Sequence, residues 1–171
     1  MYRDHTDTLR AGSRAPALDL PTADGRRFTL ASFPEPLLLL FFLRGAWCPN
    51  CKKLMRRLAA DWNTFRTARV DLALVAAQRI DGMTGARRFV REHAYPFPLL
   101  FDETRRVTRE WGVYHRIGVD ALHIAHPAVF LLDRDRVIRW IAVSPNQYTR
   151  PSTPELMSAI EGVRNPAAVG S

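Results

Sequence analysis

Cysteine is scarce in this sequence: Cys48 and Cys51 are the only two in 171 residues. Two cysteines make at most one bridge, so a disulfide-stapled secreted scaffold is excluded, and a chain of this length can build a core without one. Lysine is equally scarce: of 25 basic residues only Lys52 and Lys53 are not arginine. Long apolar runs are missing too. Leu37 to Leu43 is the longest, far short of the roughly 20 residues that a membrane-spanning helix needs. The opening "MYRDHTDTLRAGSRAP" carries charge from Arg3 onward and lacks the apolar stretch of a secretory leader, so the expectation is a cytoplasmic chain with no membrane partner.

What is present is positive charge, net +8. It lies in pairs spread along the whole chain, such as Arg26-Arg27, Arg56-Arg57, Arg87-Arg88 and Arg105-Arg106, with no basic tail and no aromatic-studded stripe. That distribution reads as solvated helix faces rather than a specific nucleic-acid surface, although the field favours anionic partners.

The order of elements follows from periodicity and punctuation. Residues 1–11 read as a flexible arm and 165–171 as a flexible tail, with one domain over 12–164 between them. Ala17 to Leu20 and Arg27 to Leu30 flank Asp24-Gly25, a strong hairpin signal. Leu37 to Leu43 is a continuous apolar run of strand length, the pattern of a strand buried on both faces. Pro49 suits the first turn of a helix whose apolar stripe runs through Leu54, Met55, Leu58, Ala59, Trp62 and Phe65. Val70 to Ala76 is a second buried strand, Gly82 to His93 and Glu103 to Trp111 are helices, and Ala128 to Leu132 and Val137 to Val143 are late strands joined at "DRDR". A last helix follows, with Thr153 as its cap. Strands alternating with helices predict an α/β fold, a mixed central sheet covered by helices on both faces, with an N-terminal β-hairpin.

The two cysteines fall where the first buried strand meets its helix. The free N–H groups and the dipole of a helix N-terminus favour an anion at Cys48. Thiolate is the reactive form of cysteine, and a C-x-x-C at a helix start lowers the pKa. Arg44, Lys52, Lys53 and Arg56 push the same way. Pro49 stiffens the turn, and Trp47 can shield one side while leaving the first sulfur exposed. Cys51, one turn deeper, would resolve a mixed disulfide formed at Cys48. Two other readings stand beside this dithiol centre: two inert cysteines, or zinc held by the cysteine pair together with His123 and His126.

"WCPNC" between a buried strand and a helix resembles the thioredoxin-fold active site, and "FFLRGAWCPNC" resembles the peroxiredoxin-like branch, the alkyl hydroperoxide reductase / thiol-specific antioxidant (redoxin) family. "GSRAPALDLPTADGRRFTLASF", "YPFPLLFDETRRVTREWGVY" and "HPAVFLLDRDRVIRW" extend the likeness over most of 12–164. It implies a thioredoxin fold of the peroxiredoxin-like type, catalytic Cys48 and Cys51, and an active site shaped by Arg44, Trp47, Pro49, His126 and Pro127. Pro127 takes the place of the fold's cis-proline, with His126 beside Cys48, and His115 and His123 on the surface. The resemblance implies no metal or organic cofactor. Its partners would be a disulfide-containing protein or a small thiol or hydroperoxide, and an electron-donating thiol system. A homodimer is expected because members of the family often form one.

The departures are specific. The peroxiredoxin motif Pro-x-x-x-Thr-x-x-Cys, laid on this chain, puts its cysteine on Cys51, its threonine on Cys48 and its proline on Arg44. The family's late-strand arginine falls on Pro127. These differences favour dithiol–disulfide exchange in redox homeostasis as the expected activity, with Cys48 as nucleophile. The alternatives are a thiol peroxidase that reduces hydroperoxides, and a non-catalytic or zinc-binding module. Arg136 stands where the late turn often has glycine.

Overall fold

In this computed structural model the structure describes residues 1–81, 86–117 and 122–166. The expected tail falls largely outside them.

The hairpin forms as β1 (Asp19–Pro21) and β2 (Arg27–Thr29), antiparallel, with Gly25 at φ 87°, backbone that favours glycine. The apolar run is β3 (Leu37–Leu43), buried at every position. It is followed by α1 (Pro49–Ala60), α2 (Trp62–Thr67), β4 (Val70–Ala76), α3 (Ala86–Glu92), β5 (Leu99–Phe101) and α4 (Arg106–Glu110). A hairpin of β6 (Tyr114–Ile117) and β7 (Leu122–Ala125), which the residue pattern did not announce, precedes β8 (Ala128–Asp133), β9 (Ile138–Val143) and α5 (Thr153–Arg164). The central sheet runs β5-β4-β3-β8-β9. Its first three strands are parallel and β8 and β9 antiparallel, so the sheet is mixed as expected.

Alternation along β3 divides the core in two. Leu37, Leu39, Phe41 and Leu43 pack with Leu54, Met55 and Leu58 of α1 and with Leu156 and Ile160 of α5. Leu38, Leu40 and Phe42 face the other way, toward Val107 and Trp111 at α4 and Leu18 and Leu20 of the first hairpin. At roughly 1.5–3 kcal/mol per fully buried large apolar side chain, the seven buried residues of β3 contribute strongly to the cohesion of the sheet.

Several local expectations are corrected. The stripe from Leu54 to Phe65 is two helices, because Asp61 (φ −92°, ψ 9°) breaks the run and its carboxylate accepts a 2.6 Å bond from Thr153 Oγ1. Thr153 is therefore not the cap of α5. Ser152 is, through a reciprocal pairing with Glu155 that the Ser-x-x-Glu spacing encodes. The helix at α4 begins late, because Asp102 takes the Thr108 N–H and hydroxyl at 2.7 Å each and Arg105 turns into left-handed backbone (φ 58°). Only Ala86–Glu92 of the expected Gly82–His93 helix lies among the described helical residues. The opening residues, read as an arm, are docked in this structure. Arg3 exchanges backbone bonds with Val143, Gly12 donates to Ile138 O, and Leu9 is buried. The free edge of β9 offers unpaired backbone groups that this segment satisfies.

Candidate active site

β3 carries the chain from the middle of the sheet to its edge, and residues 44–48 turn it into α1. The Cys48 N–H closes a turn on Gly45 O at 3.2 Å, and the Ala46 N–H donates to Gln78 Oε1 at 2.6 Å. Gly45 fits because it has no side chain: a Cβ there would strike the Trp47 indole and come within 2.8 Å of Gln78 Oε1. Gln78, two residues beyond the end of β4, thus sets the path of the loop that presents the cysteines.

Cys48 occupies the N-cap of α1 with extended backbone (φ −70°, ψ 125°), and Pro49 is the first helical residue. No acidic residue stands in that first turn, so nothing competes for the positive end of the helix. The thiol of Cys51 hydrogen-bonds the Cys48 sulfur, the largest of the influences that bring Cys48 down to about 5 against the opposing effect of burial. The backbone N–H groups of Cys51 and Asn50 and the charge of Arg44 act in the same direction. Cys51 moves the other way: its bond to Cys48 and its own burial push the thiol far up. These opposite influences favour ionisation of Cys48 over Cys51.

Both cysteines are free thiols, as close as this hydrogen bond requires, but the expected exposure of the first sulfur is not found. Cys48 is 1% exposed. Arg44 is itself buried, and its charge acts on Cys48. Its guanidinium sits over the Trp47 ring, 5.4 Å from the centroid, and donates to Gln147 Oε1. Gln147 in turn donates to the Tyr148 hydroxyl at 2.9 Å. Of the cations expected to act on the thiol, Arg44 does. Lys52 instead lies 5.2 Å from the centroid of the Phe89 ring.

Arg44 is also in the lining of a cavity of about 320 Å³, whose walls include Ile124, His126, Pro127, Pro145 and Tyr148. One expectation at this cavity changes. Pro127 opens β8 as the family likeness implied, but no peptide bond among the described residues is cis. A trans proline is the ordinary way into a strand whose first residue needs no donor, and Pro127 O accepts the Ser144 N–H at 2.8 Å. His126, implied to lie beside Cys48, lines the same cavity. Burial, then His115 and Arg3, lower its affinity for a proton, and its ring lies 4.3 Å from that of His115. Of the zinc reading's histidines, the His123 side chain lies outside the described residues and His126 is paired with His115. Among the described residues no three or more His, Cys, Asp or Glu are grouped to hold a metal ion.

One more residue, which no sequence pattern marked, reaches the thiols. Arg150, in the loop between β9 and α5, interacts with Cys51 and with Cys48, and Arg44 opposes it electrostatically. Only proximity in the fold reveals Arg150, Gln147 and Gln78, which are 99, 96 and 27 residues from Cys51 in sequence.

Fold and site together define a peroxiredoxin-like thioredoxin fold with a dithiol at a helix N-terminus. Residues 11–141 match the AhpC/TSA family, and the chain belongs to it. The chain is thereby placed among oxidoreductases. Over 135 residues it is 28% identical to peroxiredoxin Bcp of Escherichia coli, an alignment covering 78% of this chain and 85% of that one. Over 102 residues it is 28% identical to the chloroplastic peroxiredoxin Q of Oryza sativa subsp. japonica, covering 60% of this chain and 46% of that one. The crystal structure of peroxidoxin BcpB from Mycobacterium tuberculosis superposes with a TM-score of 0.73 at 19% identity, over 95% of this chain and 99% of that one. Among the described residues no helix is long and apolar enough to cross a membrane.

Proposed function

We propose that this chain is a thiol peroxidase in which Cys48 is oxidised by a hydroperoxide and Cys51 resolves the product. The sequence alone favoured disulfide exchange; membership of the AhpC/TSA family, with peroxiredoxins among the relatives, shifts the preference to the peroxidase. The observation that carries the assignment of roles is the asymmetry of the pair, an ionised Cys48 fed by helix N–H groups and Arg44 beside a neutral Cys51.

The chemistry balances without a metal or organic cofactor. The Cys48 thiolate attacks the terminal oxygen of ROOH, the O–O bond breaks, and RO⁻ leaves and takes up a proton as ROH. Cys48 is now a sulfenic acid. Cys51 loses its proton and attacks that sulfur, expelling water and closing the Cys48–Cys51 disulfide. An external dithiol, or two small thiols, then reduce the disulfide and are oxidised in turn. Arg44 is the group placed to stabilise the departing oxygen, a role the absent threonine hydroxyl and late-strand arginine cannot fill. The same absences support a second reading, exchange with a disulfide substrate at Cys48, which uses the identical order of thiols.

Peroxide consumption with dimedone trapping decides. Cys51→Ser is expected to accumulate a dimedone-reactive sulfenic acid at position 48, and Cys48→Ser to consume no peroxide. Peroxide turnover surviving in Cys48→Ser, with label at Cys51, would reverse the roles. A wild type that reduces a disulfide but leaves cumene hydroperoxide and H2O2 untouched would replace the peroxidase by the exchange enzyme.

A further inference from the structure

Arg150 is unusual in how little its guanidinium is satisfied. Nη1 donates to Thr149 O at 2.7 Å, Nε and Nη2 are buried without an oxygen acceptor, and the guanidinium hydrogen-bonds the Cys51 sulfur. A buried cation without a full set of partners is costly, and proteins seldom keep one without a use for it. The charged and titratable groups that face it are Cys51, Cys48, Arg44 and, from the N-terminal segment, Tyr2. Of these only the two cysteines can become anions at neutral pH, and Cys48 is already supplied with donors by the helix and with a cation by Arg44.

We propose that Arg150 is a positioning residue for the second thiol: its guanidinium, which already reaches the Cys51 sulfur, receives the negative charge on Cys51 once Cys48 has been consumed. In the resting dithiol Cys51 is a donor to the Cys48 thiolate and must stay neutral. When Cys48 becomes a sulfenic acid or a mixed disulfide, its charge is gone and so is the reason for Cys51 to hold its proton. Arg150 then stabilises the new thiolate while it attacks. The site uses one arginine per sulfur, and the charge passes from the Arg44 side of the pair to the Arg150 side.

The inference rests on Cys48 reacting first, not on the oxidant being a peroxide, so its test uses a small neutral reagent, methyl methanethiosulfonate. The Cys48 thiolate attacks the sulfenyl sulfur and methanesulfinate leaves, giving Cys48–S–S–CH3. Cys51 thiolate then attacks the Cys48 sulfur, methanethiolate leaves and is protonated, and the internal disulfide closes. Quenched-flow mass spectrometry follows both steps in one molecule, with the first as internal control. In Arg150→Met the second step is expected to slow about 10-fold or more relative to the first, and its pH midpoint to rise by about one unit or more, since one unit is tenfold in thiolate. Arg150→Lys, which keeps the charge, is expected to recover most of the rate and the midpoint. Equal slowing of both steps with an unmoved midpoint would reduce Arg150 to a structural role, and a second step at wild-type speed would overturn the proposal outright. Peroxide turnover, measured separately, reports on the peroxidase reading alone.

Discussion

A hydrogen bond between Cys51 and Cys48 lowers the pKa of the Cys48 thiol and raises that of Cys51. That contact makes two chemically identical side chains unlike, one an anion near neutrality and the other a held-back acid. Helix geometry brings it about: three residues along α1 return almost to the same side, so a donor at Cys51 sits under an acceptor at the N-cap.

Alkylation of Cys48 by iodoacetamide should follow its ionised fraction. The thiolate is the reactive form, so the rate rises with pH, is half-maximal at about 5, and is flat through neutrality. Cys51→Ala removes the largest of the lowering influences, and the midpoint is expected to move up by about one unit or more, an effect of about 1.4 kcal/mol. A midpoint that stays at the wild-type value in the variant would show that helix donors and Arg44 suffice alone.

Gly45→Ala should disturb the loop rather than the sheet. The added methyl has no room against the Trp47 indole and Gln78 Oε1. Overpacking of this kind costs roughly 1–3 kcal/mol, and relief by moving Trp47 would also unseat Arg44. Chemical denaturation should report the loss, and the alkylation profile should shift upward with it.

Arg136→Gly is expected to stabilise the protein. Arg136 closes the turn between β8 and β9 in left-handed backbone at φ 61°, donating its N–H to Asp133 O at 3.0 Å, and its side chain is exposed. An L-residue pays roughly 1–2 kcal/mol for that conformation, partly offset by the greater unfolded-chain entropy of glycine. A net gain of about 0.5–1 kcal/mol corresponds to a melting temperature higher by about 1–4 °C in a chain of this size. No rise would mean that neighbouring contacts already absorb the strain.

Much of this protein was legible from its residues in order. β3 announced itself because burial on both faces demands an unbroken apolar run, α1 because Pro49 and the stripe from Leu54 to Leu58 satisfy helix geometry, and the dithiol because C-x-x-C needs only local spacing to bring two sulfurs together. The β6–β7 hairpin was silent because its strands are short and its alternation weak, and the break at Asp61 because the residue's partner there, Thr153, is 92 residues away in sequence.

The tertiary structure decided what surrounds the sulfurs. Sequence order placed charge near Cys48 through Arg44, Lys52, Lys53 and Arg56, but what counts electrostatically is distance in space: of these Arg44 acts on the thiol, Arg150 joins it from a distant loop, and Lys52 lies over Phe89. Exposure was likewise beyond local reading: Cys48 is buried, and so is Arg44, which is held by Trp47 and Gln147. Local spacing can specify which atoms bond to one another along a helix. Which charges and walls close over them depends on loops that meet only after the chain has folded.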